Sequence, residues 1–405
     1  MEAVYRLSAD LMAPLRELGV EEGVARLVDL IIAQGVRSRA SDIHIEPQGD
    51  RVRIRYRVDG VLHDATPLPQ DLLNPLITRI KVLAGLNIVE KLQPQDGQMV
   101  FREGDQELDI RVSVMPTIKG EKAVLRLLAR QRLLTLENLG MDPATLERYR
   151  ACAARSFGMV TVVGPTGTGK TTTLYATIQE LDAVERNIVT LEDPVEYVFP
   201  QITQIQVNPR AGITFASGLR AILRQDPDVI VVGEIRDGET ARIAVQAALT
   251  GHLVLTSLHA TDALRGIYRL LDIGVEPYLL ASALSGVVAQ RLARRVCAHC
   301  AAPTPLGAAE RAFLELAGGH LEEQLAGRGC AYCAGTGYQG RVGIFSLLPV
   351  TEEIRRLIAR AAPVTDLEPA ARAAGYESLA EAGLRLVRSG ITTVAELMRV
   401  IGAEN

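Results

Sequence analysis

Hydrophobic periodicity divides the chain before any motif does. Residues 1–39 carry apolar positions at helical spacing, clearest at Val24, Leu27, Val28, Ile31 and Ile32, which predicts an amphipathic helical segment. From Ser41 the period drops to two: Ile43 and Ile45 alternate with Asp42, His44 and Glu46. Val52, Ile54, Tyr56 and Val58 then alternate with Arg51, Arg53, Arg55 and Arg57. Strand alternation puts the four arginines on one face. That face is either a solvated sheet surface paired with Asp42 and Glu46 or a surface turned toward an anion. A helix is predicted from Asp71 to Val89, with Leu73, Leu76, Ile77, Ile80 and Leu83 inward. Two strands come next, Leu108 to Val114 and Lys122 to Leu128, with Arg111 opposite the face of Ile110, Val112 and Val114. Residues 40–130 thus read as a small α+β domain, and residues 131–142 as a polar linker.

From residue 143 onward strands and helices alternate, the pattern of a parallel α/β sheet. The strands are predicted at Met159–Val163, Asn187–Leu191, Asp228–Val232 and His252–Thr256. A helix is expected from Asp262 to Leu271, and another from Pro277 to about Leu292 with Leu280, Ala283, Leu284, Val287 and Val288 as its buried stripe. Residues 350–405 read as helical, with capping-box pairs at Ser378/Glu381 and Thr393/Glu396. Within this 143–405 domain, residues 291–345 form a module around four cysteines.

Composition narrows the class. A chain of 405 residues exceeds one core and suggests two or three domains. The N-terminus shows no basic segment leading into an apolar one, so no secretory signal is expected. The longest uncharged apolar-rich run, Pro277 to Gln290, falls short of the roughly 18–20 residues of a membrane span. A cytoplasmic location is expected. Aromatic content of 4% without Trp, with a net charge of −4, argues against direct nucleic-acid binding. Four of the five cysteines form Cys297-x-x-Cys300 and Cys330-x-x-Cys333, which in a reducing compartment favours metal over disulfide. Two such turns can close a tetrahedron of thiolates around a structural Zn²⁺.

The residues just past each parallel strand carry the chemistry. The first strand leads into Gly164-Pro165-Thr166-Gly167-Thr168-Gly169-Lys170-Thr171, with Thr172 beyond it at the start of a helix. This strand–loop–helix order is the polyphosphate cradle: backbone N–H groups and the helix N-terminus face the phosphates. Lys170 would reach the β- and γ-phosphates of ATP, and the Thr171 hydroxyl would ligate Mg²⁺. The second strand leads into Glu192-Asp193-Pro194-Val195-Glu196, and the third into Gly233-Glu234-Ile235-Arg236-Asp237. His259 lies beyond the fourth. Ligands of open parallel sheets bind at the carboxyl ends of strands, so these clusters are expected to converge. Glu234 would act either on metal-bound water or on the nucleophile, with Glu192 and Glu196 able to share that work. His259 would sense the γ-phosphate, polarise water, or simply be hydrogen-bonded. Arg220 and Arg224, four apart on a predicted helix, would neutralise phosphate charge or bridge subunits.

With these residues in place the chain resembles the secretion ATPase superfamily, closest to the motors of type II secretion and type IV pilus assembly, the general secretion pathway protein E group. The resemblance is carried by Ala40-Ser41-Asp42-Ile43-His44-Ile45-Glu46-Pro47, the alternating-arginine strand and Pro94-Gln95-Asp96-Gly97. It extends through the phosphate loop, Leu191 to Tyr197, Gly233 to Asp237, Thr250 to His259, the cysteine tetrad and Gly335 to Arg341. It implies a PAS-like domain followed by a RecA-like ATPase domain, assembled as a homo-hexamer. It also implies a cytoplasmic ATPase, peripheral at the inner membrane through a platform protein, that drives pseudopilin or pilin assembly. In the family, first-domain arginines close over the phosphates. Arg111 matches one such position, and Arg220 with Arg224 matches a second-domain pair. Gln98 stands where the family motif has Arg. Fewer than 40 residues precede the first domain, whereas most assembly motors carry an additional docking domain there. A DNA-uptake or conjugation motor and a nucleotide-regulated scaffold without turnover are the other readings.

Overall fold

The period-two segments fold as the strands they predict. The computed structural model describes residues 20–104, 106–128 and 134–402, so residues 1–19 of the expected N-terminal helical segment and 131–133 of the linker lie outside the described residues. The chain divides into two units.

In the first, helix α1 (Val20–Arg37) is followed by β1 (Ala40–Gln48), β2 (Arg51–Val58), β3 (Val61–Asp64), β4 (Leu68–Pro69), α2 (Leu73–Leu83), β5 (Gln95–Glu103), β6 (Gln106–Thr117) and β7 (Gly120–Leu128). The strands form an antiparallel sheet in the order β3-β2-β1-β7-β6-β5, with β4 also on β2. Ile43, Ile45, Ile54, Tyr56, Ile110, Val112, Val114 and Leu125 bury one face in a common core with Leu27, Ile31, Leu76 and Ile80 of the two helices. Tyr56 donates its hydroxyl proton to the Ile31 carbonyl at 3.0 Å, which satisfies the one polar atom that this burial brings in.

The opposite face holds the alternating arginines, two of them on the expected carboxylates and Arg53 on Asp64, which was not among them. Arg55 forms a two-pronged pair with Glu46 at 2.8 and 2.9 Å. Arg57 approaches Asp42 at 3.7 Å, and Arg53 pairs with Asp64. The helix expected to reach Val89 stops at Leu83. Gly85 takes a φ of +67°, Gly85 N–H donates to Val82 O, and Leu86 N–H donates to Lys81 O, the paired closure that ends many helices. The apolar residues beyond it, Ile88, Val89 and Leu92, are exposed. Strand β5, expected only as a motif, is found paired with β6.

The second unit contains α3 (Pro143–Ala153), β8 (Gly158–Val163), α4 (Lys170–Glu180), β9 (Ile188–Glu192), β10 (Thr203–Gln206), α5 (Phe215–Ile222), β11 (Val229–Val232), α6 (Gly238–Leu249) and β12 (Leu253–Leu258). Then come α7 (Ala263–Asp272), α8 (Pro277–Ala283), β13 (Leu284–Val296), a ribbon of β14 (Ala301–Pro305) and β15 (Glu323–Gly327) enclosing α9 (Ala308–Leu316), and β16 (Tyr338–Pro349). Helices α10 (Glu352–Ala359), α11 (Val364–Ala373), α12 (Leu379–Arg388) and α13 (Val394–Ile401) complete it. The sheet order is β10-β9-β11-β12-β8-β13-β16, and the pairs from β10 to β13 are parallel. Met159 and Val163 pack on one side of the sheet, Val160 and Val162 on the other. Two covered faces explain why these strands read as unbroken apolar runs.

One element differs in kind. The helix expected from Pro277 to about Leu292 ends at Ala283, and the remainder is strand β13, registered on β8 with Val288 opposite Val162. Val287 and Val288 point into the cores on opposite sides of the sheet, as strand neighbours do. A run apolar on every side satisfies a buried helix and a doubly covered strand equally, so periodicity could not separate them. The stretch 291–345 is likewise split. Its ends belong to β13 and β16, while Cys297–Ala301 and Gly327–Gly340 group with the first unit, where Gly340 N–H donates to Asp59 at 2.8 Å. Of the two capping boxes, Ser378/Glu381 is reciprocal. Thr393 caps the Glu396 N–H, while the Glu396 carboxylate takes Arg294 and Arg399.

Candidate active site

The phosphate loop leaves β8 at Gly164 and enters α4 at Lys170. Gly167 and Gly169 adopt φ of +80° and +86°, the left-handed conformation that lets the chain curl without a Cβ penalty. Gly164 is fixed by space instead, since a Cβ there would lie 2.7 Å from the Gln290 carbonyl oxygen and from Thr168 Oγ1. Lys170 Nζ donates to the Gly164 and Pro165 carbonyls at 2.8 and 2.9 Å. Burial pulls its pKa down; the Glu234 charge opposes that shift and Arg291 adds to it. Thr166, Gly167 and Thr171 are exposed, Pro165 and Thr172 half-buried, and Thr168 donates to Pro165 O at 2.9 Å.

Neighbouring strand ends are stitched to one another. Gly233 N–H donates to Leu191 O at 2.8 Å, Ser257 Oγ donates to Gly233 O at 2.7 Å, and Ile235 N–H donates to Ser257 O at 3.0 Å. This ties the ends of β9, β11 and β12 together and places Glu234 beside His259, with Nε2 3.4 Å from its carboxylate. The other Glu234 oxygen accepts from Arg236. Burial raises the Glu234 pKa, but Arg236 and His259 outweigh it and hold the carboxyl below its usual range. Glu234 and His259 are thus brought together, and Glu234 is close enough to act on the Lys170 charge.

The other residues singled out from sequence lie in different surroundings. Glu192 is buried, with its carboxylate taken by Tyr175, Thr190 and Gln204. Glu196 is exposed, and its N–H donates to the Tyr175 hydroxyl at 3.1 Å. Arg220 pairs with Glu239; α5 ends at Ile222, so Arg224 lies just past the helix, yet its guanidinium returns to the Arg220 carbonyl at 2.8 Å. Arg111 lies on β6 of the first unit, registered between Gln98 of β5 and Arg126 of β7. Reading the sequence missed Gln290 and Arg291, both buried in the middle of β13, just past its pairing with β8, against the phosphate loop. The available signal was a polar pair interrupting an apolar run, here within the strand rather than past its end.

The four cysteine sulfurs lie within 4.8 Å of one another, with Cys297–Cys330, Cys300–Cys333 and Cys330–Cys333 separations of 3.9, 3.8 and 3.7 Å. Tetrahedral sulfurs on Zn²⁺ at about 2.3 Å would stand about 3.8 Å apart, so the donor set fits that ion. The Cys330 and Gly337 N–H groups donate to Cys333 Sγ, each at 3.2 Å. Burial works against the Cys333 thiolate, yet these donors bring its pKa to about 7. His299 and Tyr332 stack across the two turns at 3.9 Å between ring centroids.

The chain is similar to known proteins over nearly its whole length. Residues 18–399 match the family model described as type II/IV secretion system protein. The type II secretion system protein HxcR of Pseudomonas aeruginosa is 49% identical over 400 residues, covering 98% of this chain and 81% of that protein. The type IV pilus assembly ATPase PilB of Thermus thermophilus is 45% identical over 387 residues, covering 93% of this chain but only 43% of PilB. Among solved structures, the Legionella pneumophila ATPase DotB shares the fold, with a TM-score of 0.64 at 23% identity, covering 93% of this chain and 91% of that one. On the match across nearly its whole described length, the chain belongs to the type II/IV secretion system protein family.

Proposed function

We propose that this chain is an ATP-hydrolysing motor that drives pseudopilin assembly and protein export in a type II secretion system. The observation that carries the reading is the phosphate loop with Lys170 set beside an ionised Glu234 and its neighbour His259. Backbone N–H groups of Gly164 to Lys170 would hold the phosphates of ATP, and Lys170 would exchange its two carbonyl partners for the β- and γ-oxygens. Thr171 and Glu234 would hold Mg²⁺ directly or through water, and the ion would neutralise charge on those oxygens. Glu234 orients or deprotonates the attacking water, and His259 fixes the carboxylate or meets the γ-phosphate. In this reading the second unit is the RecA-like ATPase and the first a PAS-like domain. The protein works as a cytoplasmic homo-hexamer, peripheral at the inner membrane through a platform protein. Cys297, Cys300, Cys330 and Cys333 hold a structural Zn²⁺. The likeness to PilB favours one second reading, the same motor serving type IV pilus assembly.

Lys170→Ala tests the reading. Steady-state hydrolysis by the full chain should vanish and nucleotide binding should weaken, because the point charge on the phosphates is gone. Retained hydrolysis in Lys170→Ala would refute it. Stimulation by the cytoplasmic domain of a secretion-type rather than a pilus-type platform protein would separate the two systems.

A further inference from the structure

The buried pair in the middle of β13, just past its pairing with β8, sits where it can link two parts of the site. Strand β13 is registered beside β8 with Ala289 opposite Val163, so Gln290 and Arg291 lie next to the start of the phosphate loop. Gln290 Oε1 accepts from Thr173 Oγ1 at 2.7 Å, which anchors the first turn of α4. Its Nε2 lies 3.0 Å from where a Cβ on Gly169 would sit. Arg291 donates through Nη1 to Gln290 O at 2.9 Å and through Nη2 to Thr261 O at 2.6 Å. Thr261 is two residues after His259, on the same loop. One guanidinium therefore bonds at one end to the backbone under the phosphate loop and at the other to the loop that carries His259. Both side chains are buried at 2% exposure, beside Lys170. Burying a guanidinium near another cation costs more than an apolar pair would, so packing alone does not account for it.

We propose that Arg291 is a positioning residue for hydrolysis: it holds the His259 loop in register with the phosphate loop, while Gln290 anchors the α4 end of that loop. Arg291 acts through the backbone and touches no phosphate. Its loss should therefore spare nucleotide binding and harm the geometry of the reacting groups, for which misplacement by about 1 Å can cost roughly 10²-fold in rate. The inference rests on the ATPase reading, and the wild-type rate tests that reading separately.

The experiment uses the full chain with Arg291→Lys, Arg291→Met, His259→Ala and the double variant Arg291→Lys/His259→Ala. Hydrolysis is measured at saturating ATP, affinity with a fluorescent ATP analogue, and folding by thermal melting. Arg291→Met should lower kcat by about 10- to 100-fold with affinity within roughly threefold of wild type, and Arg291→Lys should recover part of the rate. In the His259→Ala background, Arg291→Lys should cost little further, since two residues acting on one loop are not additive. Equal losses of affinity and kcat, or full additivity with His259→Ala, would mean a purely structural role and overturn the proposal. So would an unchanged kcat in Arg291→Met. If Arg291→Met fails to fold, Arg291→Lys and the double variant decide the matter alone.

Discussion

Replacing Glu234 by Gln separates chemistry from binding at this site. The substitution keeps the size and one acceptor oxygen, so the Arg236 contact survives in neutral form while the charge disappears. The carboxylate is ionised well below neutrality, because Arg236 and His259 outweigh the effect of its burial. At working pH the wild type therefore presents a full base and the variant none. A positioned general base contributes about 10²–10⁴-fold, and that is the expected loss in kcat. Affinity should hold or tighten, since removing a negative charge near Lys170 favours an incoming polyphosphate. Stability should change little. The Arg236 side chain is 60% exposed, and a pair of that kind is worth about 0–1 kcal/mol, or at most roughly 4 °C for a unit of this size.

The pH dependence has a definite sign. The folded pKa of Glu234 lies below its usual 4.5, so its contribution to stability is fully present above that value and is lost as pH falls through the lowered folded pKa. The variant should lack that component: its small stability deficit relative to wild type should be constant above about pH 5 and close as pH falls through the lowered folded pKa. The assays are phosphate release, fluorescent-nucleotide titration and melting on the same preparations. Hydrolysis by Glu234→Gln at the wild-type rate would remove Glu234 from the chemistry and return the base to another group.

Three further outcomes are expected. Metal analysis of protein prepared under reducing, metal-replete conditions should find close to one zinc per chain, and its absence would remove zinc from the account. Cys300→Ser should destabilise the segment from Cys297 to Gly340 while nucleotide binding at Lys170 stays near wild type, read by local proteolysis beside titration. Arg111→Ala and Arg220→Ala should each lower turnover much more than affinity, an arginine supplied to a phosphoryl group being worth roughly 10³–10⁵-fold where that role has been isolated. Full activity in both variants would return these arginines to a structural role.

The legible parts of the fold were those with one readable period and one polar face. The alternation at Arg51 to Val58 specified both the strand and its outward arginines, and the buried runs at Met159, Val229 and Leu253 specified the parallel sheet. Strand ends could be read from the polar residues that interrupt those runs, so Lys170, Glu234 and His259 could be placed from sequence. Strand β13 was illegible for the same reason that it is stable. It is covered on both sides, and a run without a polar face has no period to read. The mistake had a functional cost, because Gln290 and Arg291 interrupt that run within the strand rather than past its end. The end of α2 was missed because Gly85 stops the helix while apolar residues continue through Ile88 and Val89, a pattern that looks helical until the left-handed glycine is weighed. The cysteines were legible as a set, whereas their grouping with the first unit depends on contacts remote in sequence.

Two carboxylates at neighbouring strand ends have opposite environments, and that contrast assigns their work. Glu234 is partly exposed, pairs with Arg236 through one oxygen and has the other directed toward His259 Nε2 at 3.4 Å, so it can exchange partners when substrate and water arrive. Glu192 has no such freedom. Its carboxylate is sealed by Tyr175 from the phosphate-loop helix, Thr190 from its own strand at 2.5 Å and Gln204 from β10 at 3.1 Å. Breaking that set would leave buried donors unsatisfied, at about 1–3 kcal/mol each, a cost that would be added to any reaction requiring Glu192 to turn toward solvent. Environments that separate two acids in this way separate their roles as well. Glu192 is therefore better suited to hold α4 and β10 against the end of β9, with Tyr175 carrying the connection on to the Glu196 N–H at 3.1 Å. In the proposed ATPase, that leaves Glu234 as the group to meet the reaction.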